Sequence, residues 1–111
     1  MAAMTLDAGA LSARLELEAP ADVPDGQGGV VAGFAAVASV WARIEPVSVR
    51  AEEAVDEKRF TVTHAITVRH RGDLLAGMRF RKGGRSFLVT AVHDPDGTGR
   101  YLVCRCAEDG R

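Results

Sequence analysis

Histidine and serine are the residue types of this chain that could do acid–base or nucleophilic chemistry, and their positions favour neither. His64 and His93 fall on predicted strands, and no fixed spacing links either of them to a nucleophile or a carboxylate. His64 lies on the apolar side of its strand, which favours a histidine packed in the core or at an edge over a ligand. Ser48 and Ser86 have no nucleophile-elbow context. We therefore expect no catalytic residue and no enzymatic activity.

Cys104, Cys106 and the acids of the DPDG run at residues 94–97 are the candidates for a metal. Residues two apart on a strand point the same way, but their Cα atoms lie roughly 6.6–7 Å apart, which is awkward for a disulfide. One C-x-C pair without a second pair or suitably spaced histidines is a poor zinc site, so we interpret both cysteines as reduced, small hydrophobic residues on one strand face. The DPDG run resembles the start of a calcium loop but lacks the later ligands and the terminal Glu. The sequence predicts neither a metal nor a cofactor.

Basic residues cluster around one predicted hairpin, where they could contact phosphate groups. Phe80 and Phe87 alternate with the arginines as core residues do, so stacking of these rings on bases is not indicated. We favour an arginine-rich solvated hairpin that forms salt bridges with neighbouring subunits. The predicted subunit interface consists of Trp41, Arg79, Arg81 and Arg85.

Charge is unevenly distributed along a chain whose net charge is −1. Residues 1–33 carry one arginine against five acids, a net charge of −4. Residues 59–105 carry nine basic against three acidic side chains, a net charge of +6. Opposite charges on two parts of one subunit can form complementary surfaces in a ring or stack, although each face could equally be simply solvated.

The elements that position these residues are predicted to be short strands. Residues 11–19 alternate strictly between apolar and polar side chains, which predicts a strand that ends at Pro20 and leads into a mobile loop or a wide hairpin connection. A second strand is predicted at residues 34–45, with Trp41 on the face opposite Ala38, Val40, Ala42 and Ile44. Ser48 could cap a short helix within residues 48–58.

The C-terminal half predicts four further strands. Residues 60–69 alternate and are rich in β-branched side chains. Residues 78–92 have the form of a hairpin whose Gly83 and Gly84 supply the positive φ values of a primed turn. The last strand is predicted at residues 100–106. The fold class is therefore mainly β, a small barrel or sandwich of about six strands with one short helix.

The chain of 111 residues, with 47% hydrophobic and 26% charged residues, suits one globular domain. We expect a flexible N-terminus at residues 1–10 and a tail at 106–111. No secretion signal and no membrane-spanning stretch is evident, so the chain reads as cytosolic.

Trp41 should be buried, in the core or between subunits. The predicted core is Leu15, Leu17, Val40, Ile44, Val62, Ile66, Val68, Phe80, Phe87, Val89, Leu102 and Cys104.

The order of these segments resembles the head–tail joining, or head-closure (stopper), family of tailed phages, including its prophage and gene-transfer-agent versions. The most specific strings are VWARIEP at residues 40–46 and THAITVR at residues 63–69. The resemblance continues through residues 77–80 and 84–87 into residues 101–104. Phe34 stands where an aromatic residue, often tryptophan, is usual, and residues 26–33 are unusually rich in glycine.

The resemblance implies a small β-barrel in the neck of a virion or phage-like particle, made in the bacterial cytoplasm. Its subunits would form a six- or twelve-fold ring beneath the portal and adaptor proteins and above a tail terminator or tail tube protein. DNA would pass through the ring without sequence-specific binding, and no membrane would be involved. Two alternatives remain open, a tail terminator or tail-completion ring and a small nucleic-acid-binding barrel.

A long connection at residues 47–58 is the candidate gate of the channel. Pro46 ends the second strand, and a hairpin needs far fewer residues than separate it from the next. The acids would repel DNA phosphates, and the cations could pair with acids of the next subunit. An exposed connector without a role is the alternative. The candidate gate residues are Arg50, Glu52, Glu53, Asp56, Glu57 and Lys58.

Overall fold

The computed structural model describes residues 8–47 and 62–109, which form a closed, antiparallel six-stranded barrel. The barrel order is β1-β2-β3-β6-β5-β4, and β4 returns to pair with β1. This confirms the prediction of a mainly β fold with about six strands, in its barrel form. The short helix expected within residues 48–58 lies outside the described residues. The strands are β1 (Ala13–Pro24), β2 (Val30–Pro46), β3 (His64–Arg69), β4 (Arg79–Lys82), β5 (Arg85–His93) and β6 (Tyr101–Asp109), and a 3-10 turn at Ala8–Ala10 precedes them.

The barrel interior is filled by the apolar residues that alternate along the strands. Nine of the twelve predicted core residues are buried, and Val40 and Ile44 pack against them partly buried. Val62 precedes β3 and is only half-buried. Leu74 and Met78, from the connection between β3 and β4, join the core, and the Met78 sulfur accepts the Leu75 N–H at 3.3 Å. The buried cluster is Leu15, Leu17, Ala42, Ile66, Val68, Leu74, Met78, Phe80, Phe87, Val89, Leu102, Cys104 and Cys106.

The hairpin of β1 and β2 is much longer than the sequence predicted. Pro20 does not end β1, which pairs with β2 as far as Pro24 opposite Val30. Proline is tolerated at an edge because no ladder hydrogen bond is lost there, and β1 beyond Glu18 has β2 as its only strand partner among the described residues. The glycine-rich stretch becomes the turn, with φ of 81° at Gly26 and 88° at Gly28.

Two other strand boundaries differ from their predicted positions. β3 begins at His64 rather than near residue 60, because Val62 and Thr63 are outside the strand. The Thr63 N–H is nevertheless tied to the barrel by a 2.8 Å hydrogen bond to the Cys106 carbonyl. β6 continues through Asp109, so the residues 107–109 that were assigned to the tail pair with β5.

The turn between β4 and β5 uses one positive φ value rather than two. Lys82 pairs with Arg85, so Gly83 and Gly84 form a two-residue loop. Gly83 has φ of 58°, whereas Gly84 is not among the glycines with positive φ. A positive φ at the first central position alone is the geometry of a type II′ turn.

The barrel closes through a short joint between β1 and β4, which we call the seam. Three residue pairs form it, Glu16 with Arg81, Leu17 with Phe80, and Glu18 with Arg79. Leu17 and Phe80 are completely buried. The seam is therefore short in backbone hydrogen bonds and is reinforced by core packing from inside and by opposite charges from outside.

Candidate assembly surfaces

Trp41 lies on the outside of the barrel, in a small network of side chains from β1 and β2. It pairs across the strands with Arg14, whose guanidinium lies 5.0 Å from the centre of the indole ring. The Arg14 Nε donates to the Ser39 Oγ at 2.7 Å, and the Ser39 hydroxyl donates to Glu16 at 3.1 Å. The network holds the arginine against one face of the indole.

The exposed fraction of Trp41 is 51%, so the prediction that it could be a core residue is wrong. Ala42, the next residue of β2, lies on the opposite face of the strand, toward the core, and is fully buried. The alternative, that Trp41 is buried between subunits, stays a prediction. The sequence analysis missed Arg14 and Ser39, although the alternation of β1 and β2 places both on the outer face with Trp41.

The arginines of the β4–β5 hairpin are paired with carboxylates of the same chain. Arg79 Nε donates to Glu18 at 2.6 Å, and the Arg79 guanidinium lies 4.0 Å from the centre of the Phe34 ring. Arg81 lies 3.9 Å from the same carboxylate, whose side chain is 12% exposed. These contacts bring two of the predicted interface arginines onto the seam.

Arg85 is held at the far end of the hairpin by β6. It donates two hydrogen bonds to Glu108, at 2.8 and 3.2 Å, and its guanidinium lies 4.9 Å from the centre of the Phe87 ring. The hydrogen bonds to Glu108 raise the pKa of Arg85. Arg79 and Arg85 thus each satisfy a carboxylate within the chain, which leaves less free positive charge for phosphate than the sequence count indicates.

Beyond the seam, β1 and β2 form a two-stranded extension that we call the ribbon, residues 19–24 paired with residues 30–35. Its single charged residue is Asp22. Gly33 leaves space for Val23, because a Cβ at Gly33 would lie 3.0 Å from a Val23 methyl group. Val30 and Val31, where β2 begins, are 62% and 48% exposed. The ribbon is therefore apolar and largely uncovered by the described residues.

The turn of the ribbon is organised by one carboxylate. Asp25 accepts hydrogen bonds from the N–H groups of Gln27 at 2.8 Å and Gly29 at 3.1 Å. These bonds lower the pKa of Asp25. Its own N–H donates to the Gly29 carbonyl at 3.1 Å. The turn is thus fixed by hydrogen bonds rather than by packing.

A groove of about 320 Å³ opens beside the base of the ribbon. Phe34 of β2 and Arg79 of β4 line it, together with residues of β5 and β6. Most of its surface is apolar, and Arg79, Glu108 and Asp109 supply charge. The residues from β5 and β6 are Ser86, Leu88, Ala107, Glu108 and Asp109.

His64 and Asp94, which were candidates for acid–base or metal chemistry, make structural contacts. The ring of His64 meets Phe87 edge-on at 5.2 Å, and its Nδ1 lies 2.9 Å from the Thr63 hydroxyl. Asp94 accepts N–H groups of Asp96, Gly97 and Gly99 at 3.2, 2.8 and 2.7 Å, so its carboxylate holds a turn. In the described part of the chain, no group of three or more His, Cys, Asp or Glu side chains could hold a metal ion.

The two cysteines are free, completely buried and on one face of β6, as predicted. Burial raises the pKa of the Cys104 thiol to about 12. Burial and the neighbouring Cys104 also raise the pKa of Cys106. Both therefore remain protonated thiols that pack as small apolar groups.

The candidate gate residues Arg50, Glu52, Glu53, Asp56, Glu57 and Lys58 lie outside the described residues. Val47 and Thr63 border that segment, and the Val47 N–H donates to the Thr63 carbonyl at 3.0 Å. The two residues that flank the segment therefore lie at the same end of the barrel.

Across residues 8–47 and 62–109, no helix has the length and apolar character needed to cross a membrane.

Comparison with known proteins identifies one family and two solved structures that are similar to this chain. The model of a family described as phage head completion protein matches residues 6–109. A chain in the virion of a native gene transfer agent particle is 32% identical, with a TM-score of 0.60, over 86% of this chain and 91% of that one. The solution structure of protein SF1141 from Shigella flexneri 2a shares the fold at 21% identity, with a TM-score of 0.67, over 96% and 99% of the two chains. Comparison with curated protein sequences gives no match.

Proposed function

The chain belongs to the phage head completion protein family, a family of structural virion proteins rather than enzymes, and from this premise we propose that it forms a ring in the neck of a phage or gene-transfer-agent particle. The ring lies below the portal and adaptor, closes the DNA channel and docks the tail. The observation that carries the proposal is the 32% identity to a chain of an assembled gene transfer agent virion over most of both chains.

The surfaces of the barrel support an assembly role. Trp41 is half exposed and is held by Arg14, and rigid aromatic and arginine side chains are enriched among the residues that dominate binding energy at interfaces. The ribbon adds an apolar surface that the described residues of its own chain leave uncovered. Monomeric proteins rarely leave such surfaces exposed without a partner.

The test is a deletion of the gene in a strain that makes the particles, with the wild-type gene restored as the control. Without the protein, we expect filled heads that lose their DNA and carry no tails, measured as nuclease-protected DNA and by electron microscopy. Closed heads with tails of abnormal length would instead support the tail-terminator alternative. Heads that retain DNA and join tails normally would contradict the proposal.

The nucleic-acid-binding alternative predicts that the affinity for DNA depends strongly on salt. A barrel that holds DNA by its cations loses affinity steeply as salt rises, because counterions released from the phosphates oppose binding. Because Arg79 and Arg85 already bind Glu18 and Glu108, we expect weak binding of DNA fragments at physiological salt. Tight binding that falls by several orders of magnitude between low and physiological salt would favour that alternative.

We retain the segment at residues 47–58 as the proposed gate. Its two borders meet at one end of the barrel, so a projecting loop can reach the axis of a ring without disturbing the core. Deleting residues 50–56 should give particles that assemble and attach tails but lose packaged DNA. A variant with the same number of Gly and Ser residues in place of 50–56 separates loop length from loop charge. Full retention of DNA in both variants would place the gate elsewhere.

A further inference from the structure

Among the described residues, the ribbon has no strand to support it beyond its own two. An isolated two-stranded sheet is at best marginally stable in water, and the ribbon has β1 and β2 as its only strands among the described residues. Val30 and Val31 are among the most exposed large apolar residues of the described chain. A surface of this kind gains stability when a partner covers it.

The groove on the same subunit is, like the ribbon, largely apolar. Leu88, Ala107 and Phe34 line it, and Ser86 contributes a small polar group. The ribbon cannot place its own tip there, because Phe34 lies in the groove wall and Val30 is four residues further along an extended strand, about 13 Å away. The tip and the groove can therefore meet only between two copies.

The tip of the ribbon is acidic, whereas the β4–β5 hairpin beside the groove is basic; within the groove itself, Arg79 lies with the acids Glu108 and Asp109. No lysine or arginine occurs from Leu15 to Ala42, where the charged residues are all acids, including Asp22 and Asp25 near the ribbon tip. The β4–β5 hairpin beside the groove carries Lys82 and three arginines. Arg81 and Arg85 keep 47% and 48% of their side-chain surface exposed despite their contacts with Glu18 and Glu108.

We propose that the tip of the ribbon of one copy, with Val30 and Val31, docks into the groove of a second copy lined by Phe34, Ser86 and Leu88. The inference rests on the proposed ring, and it specifies how neighbouring subunits in that ring hold each other. Two different surfaces of one subunit meet in this contact, and repeating such a contact with a closing rotation makes a ring. Asp22 and Asp25 then face the cations of the neighbouring hairpin.

Cysteine cross-linking in assembled particles tests the contact directly. The double variant Val31→Cys/Ser86→Cys is introduced into the particle-producing strain, and purified particles are oxidised and separated under denaturing, non-reducing conditions. We expect a ladder of covalent dimers and higher oligomers of this chain. The native Cys104 and Cys106 do not react during oxidation, because both are completely buried, and alkylation of free thiols on denaturation prevents their exchange with the new disulfide.

Two controls make the result specific. Leu75→Cys/Ser86→Cys pairs the groove with another exposed apolar residue, 64% exposed and outside the ribbon, and should give no ladder. Val31→Cys alone should give no cross-link, and a covalent dimer from it would overturn the inference in favour of tip-to-tip contact.

The outcomes separate the inference from the proposed function. If particles contain the double variant, retain DNA and carry tails but give no ladder, the ribbon contact is wrong and the ring proposal stands. If mass spectrometry finds no copy of the wild-type chain in purified, tailed particles, the proposed function and the inference that rests on it both fail.

Discussion

The barrel and the ribbon are built from the same two strands, yet their stability has different sources. In the barrel, Leu15 and Leu17 of β1 are completely buried among residues from the other strands. Along the ribbon the same alternation continues, but no further strand in the described part of the chain closes over it, and Val31 keeps 48% of its surface exposed. Strand pattern alone therefore does not separate a buried core from an exposed apolar surface; the number of strands that cover it does.

The largest effect expected from this contrast is the loss of stability when a core aromatic residue is truncated. Phe87→Ala should lower the free energy of unfolding by roughly 3–5 kcal/mol, because Phe87 is completely buried and truncation leaves a cavity. Phe34→Ala, in the ribbon, should cost only about 1 kcal/mol, chiefly its contact with Arg79. Urea unfolding followed by circular dichroism measures both, and equal losses would show that the ribbon belongs to the cooperative core.

Trp41→Ala should separate assembly from stability. The exposed indole has lost only part of its surface to the fold, so the free energy of unfolding should fall by roughly 0.5–1 kcal/mol, the contact with Arg14. Incorporation into particles should fall much more if Trp41 lies between subunits. Thermal unfolding and quantitative mass spectrometry of purified particles give the two values. A large fall in melting temperature with normal incorporation would assign Trp41 to folding instead.

The ribbon turn should respond to acid before the barrel does. The N–H groups of Gln27 and Gly29 lower the pKa of Asp25, so its stabilising effect is present above the unfolded pKa near 3.8 and is lost as pH falls through the lower folded value. Amide exchange at residues 25–29 should accelerate in that range, and Asp25→Asn should remove the pH dependence. If the barrel amides lose protection in parallel, the ribbon and the barrel unfold together.

The smallest effect on stability is expected from Val31→Cys, which introduces an exposed thiol as a probe. Cys104 and Cys106 are completely buried, and burial raises the pKa of Cys104 to about 12, so alkylation of the native protein at pH 8 should be very slow. In the Val31→Cys variant, the new thiol should be modified rapidly and alone. Peptide mass spectrometry identifies the modified cysteine. Rapid modification of the native pair would show that β6 opens frequently.

The sequence predicts the barrel well because alternation reports which face is buried. The completely buried Leu17, Ile66 and Phe80 all lie on the apolar side of strands predicted in the sequence. Trp41 shows the limit of that reasoning: its place on the outer face is evident from the alternation, but general preferences of tryptophan made burial seem necessary. The structure leaves it 51% exposed in the single chain.

The other errors concern contacts between segments that are distant in sequence. Pro20 indicates the end of a strand when β1 is considered alone, and only the position of β4 shows that β1 has an open edge there. Leu74 and Met78 lie in a connection without periodicity, and their burial follows from packing against core residues of other segments. The pairing of Arg79 with Glu18 joins residues 61 positions apart, which no local pattern reports.

The seam also has a consequence for how the chain folds. Every other contact between neighbouring strands involves at least four residue pairs, whereas the seam has three. Because β1 and β4 are far apart in sequence, forming the seam requires closure of a long loop, and few backbone bonds compensate for that entropy. We therefore expect the β1–β2 and β4–β5 hairpins to form early and the circle of strands to close last. In the native protein the same joint should be the first to open, so the barrel unrolls into a sheet before it unfolds.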